Sequence, residues 1–172
     1  MKPISNNNRR AGADQRGSVI VELALMLPLL AIFILGSTDL GLIVREHQLL
    51  QNAAREGARF SAQPANKIDS SNPSATANSI RDKVINYLAE ENITIASTDC
   101  TADGTVTKQW DCGAITIRQQ YPIPTVVSGT TVTDYGSSVS VTYDRSFLFS
   151  GGSLFQFNSV SLNGNSVFHN LY

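Results

Sequence analysis

From Leu23 to Thr38 the chain carries no charged residue, and the apolar run around this stretch extends from Ser18 to Val44. At about 1.5 Å per residue, a helix from Ser18 to Thr38 is on the order of 30 Å long, the thickness of a bilayer's hydrocarbon core. That length predicts a membrane span rather than a core helix. Ahead of it lie Lys2, Arg9, Arg10 and Arg16 against a single Asp14, so positive charge holds the leader in the cytoplasm and the chain beyond the span faces outward. The rest of residues 1–17 is small and polar, with no apolar periodicity, and reads as a targeting or processing segment.

The junction Arg16-Gly17-Ser18-Val19-Ile20-Val21-Glu22 decides among targeting routes. A secretory signal ends in a small-x-small cleavage site, and the nearest equivalent, Gly36-Ser37-Thr38, lacks a clean pair of small residues in an extended stretch. A lipoprotein signal needs a cysteine directly after the apolar run, whereas the two cysteines are Cys100 and Cys112. An uncleaved anchor is the remaining simple alternative, but it leaves the Glu22 carboxylate about one turn into a span with no stated partner. Cleavage on the cytoplasmic side, after Gly17, gives that carboxylate one: Ser18 becomes a new amino terminus, and Glu22 lies one helical turn from its ammonium. Gly17, without a side chain, suits an extended backbone entering a protease at the membrane face. Pairing of Glu22 with the ammonium of its own or a neighbouring subunit then relieves a charge that is costly in lipid and sets subunits in register.

A glycine before the cut, a hydrophobic helix after it and a glutamate at the fifth position beyond resemble type IV prepilins and pseudopilins. The longer pattern Arg16-Gly17-Ser18-Val19-Ile20-Val21-Glu22-Leu23-Ala24-Leu25-Met26-Leu27-Pro28-Leu29-Leu30, then Gly36, Asp39-Leu40-Gly41 and Gln51-Asn52-Ala53-Ala54-Arg55-Glu56-Gly57-Ala58-Arg59, is similar to the TadE-like family of tight-adherence (Tad, or Flp) pilus systems. The resemblance covers about the first third of the chain, through Arg59. It implies a minor pseudopilin, matured by a prepilin peptidase and needed for pilus assembly, adhesion and biofilm formation. Its partners would be that peptidase, the other pilins and pseudopilins, and the inner-membrane assembly platform. The location implied is the bacterial inner membrane, single-pass, with passage into the extracellular pilus open.

Past the span the helical pattern continues. Leu42, Leu49, Ala53, Gly57 and Phe60 recur at helical spacing between charged residues, predicting one helix from Ser18 to about Ala62. Ser37 and Gly41, Ala53 and Gly57, and Ala54 and Ala58 form small-xxx-small pairs that allow close backbone approach. Beyond the membrane these pairs serve either a spine under the chain's own outer domain or packing between subunits. Asp39 falls near the outer bilayer boundary and reads as interfacial unless a helix bundle buries it.

Residues 63–75 are rich in Pro, Asn, Ser and Asp and predict a loop. Thr76–Glu91 sets Ala77, Ile80, Val84, Tyr87 and Leu88 against Arg81, Asp82, Lys83 and Glu90, an amphipathic helix stopped by Asn92. The pattern then alternates: Ile93–Ile95, Ala114–Arg118, Val139–Tyr143 and Val160–Leu162 predict three or four antiparallel strands, with turns at Asp103-Gly104 and Asn163-Gly164-Asn165. Residues 122–136 and 147–157 fit no element. The expected fold is therefore α+β and pilin-like: leader 1–17, long helix 18–62, and an outer domain 63–172 with a second helix and a small antiparallel sheet.

Without residues 1–17 the chain holds nine basic and thirteen acidic residues, a formal charge of −4, which offers nothing to nucleic acid. An outer domain of on the order of a hundred residues gains from a staple, and Cys100 and Cys112, exported and flanking a turn signal, predict a disulfide. His47 and His169 are isolated and accompany no ligand spacing, so no metal or other cofactor is expected. No phosphate loop, nucleophile elbow or H-E-x-x-H motif is present, and the reading is of a non-enzyme. Arg145, between Asp144 and Ser146, reads as a surface charge. The competing functional class is a single-span periplasmic binding or sensory module with its leader attached.

Overall fold

A computed structural model of the chain describes residues 11–68, 72–127, 130–147 and 159–171. The fold is α+β: helix α1 (Ala11–Ser61), a single 3-10 turn (Pro64–Asn66), helix α2 (Pro73–Glu90) and strands β1 (Ser97–Ala102), β2 (Gln109–Gly113), β3 (Ile115–Val127), β4 (Thr130–Ser146) and β5 (Ser159–His169). α1 begins at Ala11 rather than at Ser18, because Ala11, Ala13, Gln15 and Arg16 are good helix formers and Asp14 suits a helix's first turns. Residues 1–10 of the expected leader lie outside the described residues.

The chain divides into two compact units, 1–41 and 42–172. In the first, every residue from Gly17 to Thr38 is exposed. In the second, the Leu42–Ser61 part of α1 lies antiparallel to α2, with Glu56 facing Lys83 Nζ at 3.5 Å and Arg45 facing Glu91 at 3.1 Å. The buried stripe of α1 here is Leu50, Ala53, Ala54, Gly57, Ala58 and Ser61, one residue round the helix from part of the expected one, so that Leu49 and Phe60 are only half-buried. Gly57 sets the interaxial distance: a Cβ there would lie 2.5 Å from Val84 Cγ2 on α2 and 3.3 Å from Val139 Cγ1 on β4.

Asn92 stops α2 through a left-handed residue. Its φ is 59°, its N–H donates to the Ala89 carbonyl at 3.0 Å, and the Ile93 N–H donates to the Leu88 carbonyl at 3.0 Å. This is the paired-bond C-terminal cap in which Asn substitutes for Gly. Ile93 and Ile95 follow it as buried residues in an irregular segment. They were expected in a strand; the alternation is real, but no strand among the described residues pairs with it, and the first strand starts at Ser97.

The sheet is an antiparallel meander in the order β1-β2-β3-β4-β5. Ile115 and Ile117 pair with Val141 and Val139, and Tyr143 pairs with Leu162, placing an apolar layer under both helices while Thr116, Ser140, Thr142, Asn163 and Asn165 turn to the other face. Much of the unassigned 122–136 segment is a β ribbon, Tyr121 to Val127 against Thr130 to Gly136. Pro122 and Pro124 hid it from a propensity reading. Of the unassigned 147–157 segment, residues 148–157 lie outside the described residues. Asn163-Gly164-Asn165 is no turn but the middle of β5. Gly164 is needed for approach: a Cβ would stand 2.5 Å from the Leu50 backbone of α1. The turn at Asp103-Gly104 does open the β1–β2 connection, where Asp103 Oδ1 accepts from the Thr105 N–H at 2.7 Å and the Thr105 hydroxyl at 2.6 Å.

Candidate functional site: the apolar helix and its amino-terminal junction

Gly17 and Ser18 lie within α1, and a Cβ on Gly17 would meet nothing within 4 Å. Glu22 is exposed and stands one turn beyond Ser18, on the same helix face. The apolar side chains that follow are open on all sides, with Val19 63%, Leu25 72% and Phe33 72% exposed. In water such a surface is unsupportable; in a bilayer it is the expected exterior. The few polar side chains of the stretch are satisfied locally: Ser37 Oγ and Thr38 Oγ1 both donate to the Ile34 carbonyl at 2.9 Å. Among the described residues, this is one helix long and apolar enough to cross a membrane, a candidate anchor.

The small residues separate into two groups. Ser37 and Gly41 are exposed and available to a neighbouring helix. Ala53, Ala54, Gly57 and Ala58 are buried against the chain's own α2 and sheet, so the internal spine accounts for them. Asp39, expected at the bilayer boundary, is 5% exposed and thus buried within the single chain.

Cys100 and Cys112 form the expected disulfide, joining β1 to β2. His47 is exposed on α1. His169 closes β5, with Nδ1 3.0 Å from Asp134 Oδ2. No group of three or more His, Cys, Asp or Glu side chains converges among the described residues. The Asp103 carboxyl is held below its ordinary range, chiefly by the Thr105 hydroxyl and then by backbone N–H donors.

Two buried polar groups escaped the sequence reading. Arg145 is 9% exposed and ion-paired with Glu46 on α1, not a surface charge. Gln119, 2% exposed, accepts from the Ile68 N–H at 2.8 Å and donates to the Ser61 carbonyl at 3.1 Å and the Asn66 carbonyl at 2.8 Å. It thereby satisfies one of the carbonyls left open where α1 ends. The signals available were faint: Glu46 is one of many charges on the helix, and Gln119 lies in an apparently polar Arg118-Gln119-Gln120 run.

Residues 17–59 match the family model described as TadE-like protein. Over this helix the chain is similar to TadE-like proteins. The match begins at Gly17, the glycine of the junction, and associates the chain with Tad pilus systems. No curated protein and no solved structure matches the chain. The sheet lies beyond the matched residues.

Proposed function

We propose that the chain is a minor pseudopilin of a Tad pilus, a non-catalytic assembly protein cut after Gly17 by a prepilin peptidase. The observation that carries this is the exposed apolar helix with Glu22 one turn past Ser18, inside a TadE-like segment that opens at Gly17. The basic leader stays in the cytoplasm, the helix spans the inner membrane and the sheet domain lies on the periplasmic side, from which assembly draws the subunit outward. After the cut, Glu22 faces the Ser18 ammonium of its own or an adjacent subunit, and the exposed Ser37 and Gly41 let a neighbouring helix approach. The peptidase, the other pilins and the assembly platform are the partners of this cycle, and adhesion and biofilm formation are its consequences.

Helix α1 is unbroken across Gly17 and Ser18, so the peptidase must unwind a turn to reach the bond, and glycine lowers the cost of doing so. The same continuity favours a second reading, an anchor that keeps its leader and presents a periplasmic binding or sensory domain. Mass analysis of the protein's amino terminus from its native envelope separates the two. A start at Ser18 that depends on the peptidase is the expected result; a start at Met1 with the peptidase active eliminates the pseudopilin reading. Glu22→Ala should still be cut yet fail to support piliation, and normal pili in that variant would refute the pairing with Ser18.

A further inference from the structure

The edges of the sheet are not alike. At the β1 edge the Cys100 N–H donates to Asn78 Oδ1 at 2.8 Å and the Thr98 carbonyl accepts from Arg81 Nη1 at 2.8 Å, so α2 side chains occupy main-chain groups that an added strand would need. On the β3 side of the ribbon, Pro122 and Pro124 stand opposite Tyr135 and Thr133. Tyr135 turns its carbonyl away from β3, to the Asn170 N–H. Pro122 and Pro124 therefore also face away from their partner strand, where proline offers no donor.

The outer edge of β5 has neither protection. β5 is the last strand of the sheet, 11 residues paired with β4 in unbroken register, and it contains no Pro, Lys, Arg, Asp or Glu. The Asn170–Tyr135 bond fixes its phase: Val160, Leu162, Gly164, Ser166 and Phe168 bond to β4, while Ser161, Asn163, Asn165 and Val167 direct N–H and C=O to the open side. The Thr142 N–H agrees, since it donates to Ala114 next to β3 and leaves its β5 partner Asn163 facing out. Among the described residues no strand lies on that side. A long, uncharged edge that no described strand covers is a template for strand addition.

We propose that the β5 edge receives an extended, uncharged segment of a different subunit of the same pilus system. Alternating backbone donors and acceptors specify an extended backbone as the ligand, and an edge without charge offers no counter-charge to an acidic or basic one. A second copy fits poorly. Its β1 edge is closed, and antiparallel β5–β5 pairing about a twofold axis would set the Leu42–Ser61 parts of α1, which run in the same sense as β5 with Leu50 under Gly164 and Ala62 bonded to Leu171, in opposite senses. Such a pair is closed and isologous, whereas the subunits of a filament join head to tail. The partner's identity rests on the pilus reading above; the edge geometry does not.

The test uses the full chain in its native envelope, with Asn163→Cys labelled by a short maleimide–benzophenone reagent, whose photoactivated ketone inserts into C–H bonds and needs no thiol on the partner. The expected product is an adduct whose cross-linked peptide belongs to another pilin or pseudopilin. Asn165→Pro removes an edge-facing donor and no backbone bond to β4, only the long side-chain bond from Ser138 Oγ at 3.4 Å, and should lower the adduct at least about tenfold while the disulfide and protease resistance persist. Val167→Lys places a charge on the same edge, should act likewise, and serves if the proline variant unfolds. A homodimer, a product outside the pilus system, no adduct, or an undiminished adduct in a folded variant overturns the proposal. The amino terminus is read from the same samples: an adduct on chains that still begin at Met1 would sink the maturation reading and leave edge pairing standing.

Discussion

Gln119 holds three pieces of chain through one side chain: the end of α1, the 3-10 turn and Ile68. Gln119→Leu keeps the volume but strips the Ile68 N–H and the Ser61 and Asn66 carbonyls of this partner, and should cost about 2–4 kcal/mol, read as a lowered urea midpoint at unchanged slope. Arg145 is a parallel case. Arg145→Met leaves the half-buried Glu46 without this cation, with an expected loss of about 1–3 kcal/mol, whereas replacing both by apolar residues should recover much of it. Gly57 fails differently, by volume: Gly57→Ala drives a methyl toward Val84 and Val139 and should lower stability by about 1–3 kcal/mol. At this scale the sequence showed residue types and little of their purpose. Gly57 was legible as a small residue on a helix, but which surface it admits was not.

Among the elements, those written in short-range pattern came through well. The apolar run became the long helix, the 3.6 periodicity of α2 became its buried face, and Asn92 became its cap. A bulky β-branched residue at Asn92, as in Asn92→Val, should cost about 1–2 kcal/mol of stability by forcing the left-handed conformation, while Asn92→Gly should be near neutral. The β1–β2 connection carries a pH signature. Because the Asp103 carboxyl titrates below its ordinary value in the fold, the loop's stabilisation is complete above the unfolded aspartate range and fades as pH falls through the lowered folded value. A pH series of carboxyl shifts should place Asp103 low and move it upward in Thr105→Val. Strands were legible where they alternate around Val or Ile, as at 115–117 and 139–143. They were not where prolines interrupt the ribbon or where Gly164 imitates a turn, because a strand's partner is a tertiary fact.

In the whole molecule, a disulfide staples the first two strands of the sheet. Reducing Cys100–Cys112, whose sequence separation is 12, releases a short loop and should lower the sheet domain's stability by about 2–3 kcal/mol, measured as the shift in unfolding midpoint between oxidised and reduced protein. The sequence by itself determined the anchor-like helix, the Gly17–Ser18–Glu22 junction, the TadE-like segment, the second helix and the α+β class. Each is written in neighbouring residues, in hydropathy summed over a window, or in spacing along one helix. Only the tertiary structure decided that the Leu42–Ser61 part of α1 belongs to the sheet domain's core, that Arg145 meets Glu46 across 99 positions, and that α2 side chains close the β1 edge while no described strand covers β5. Those outcomes depend on which distant segments share a surface, and that follows from packing the whole chain at once rather than from any stretch of it.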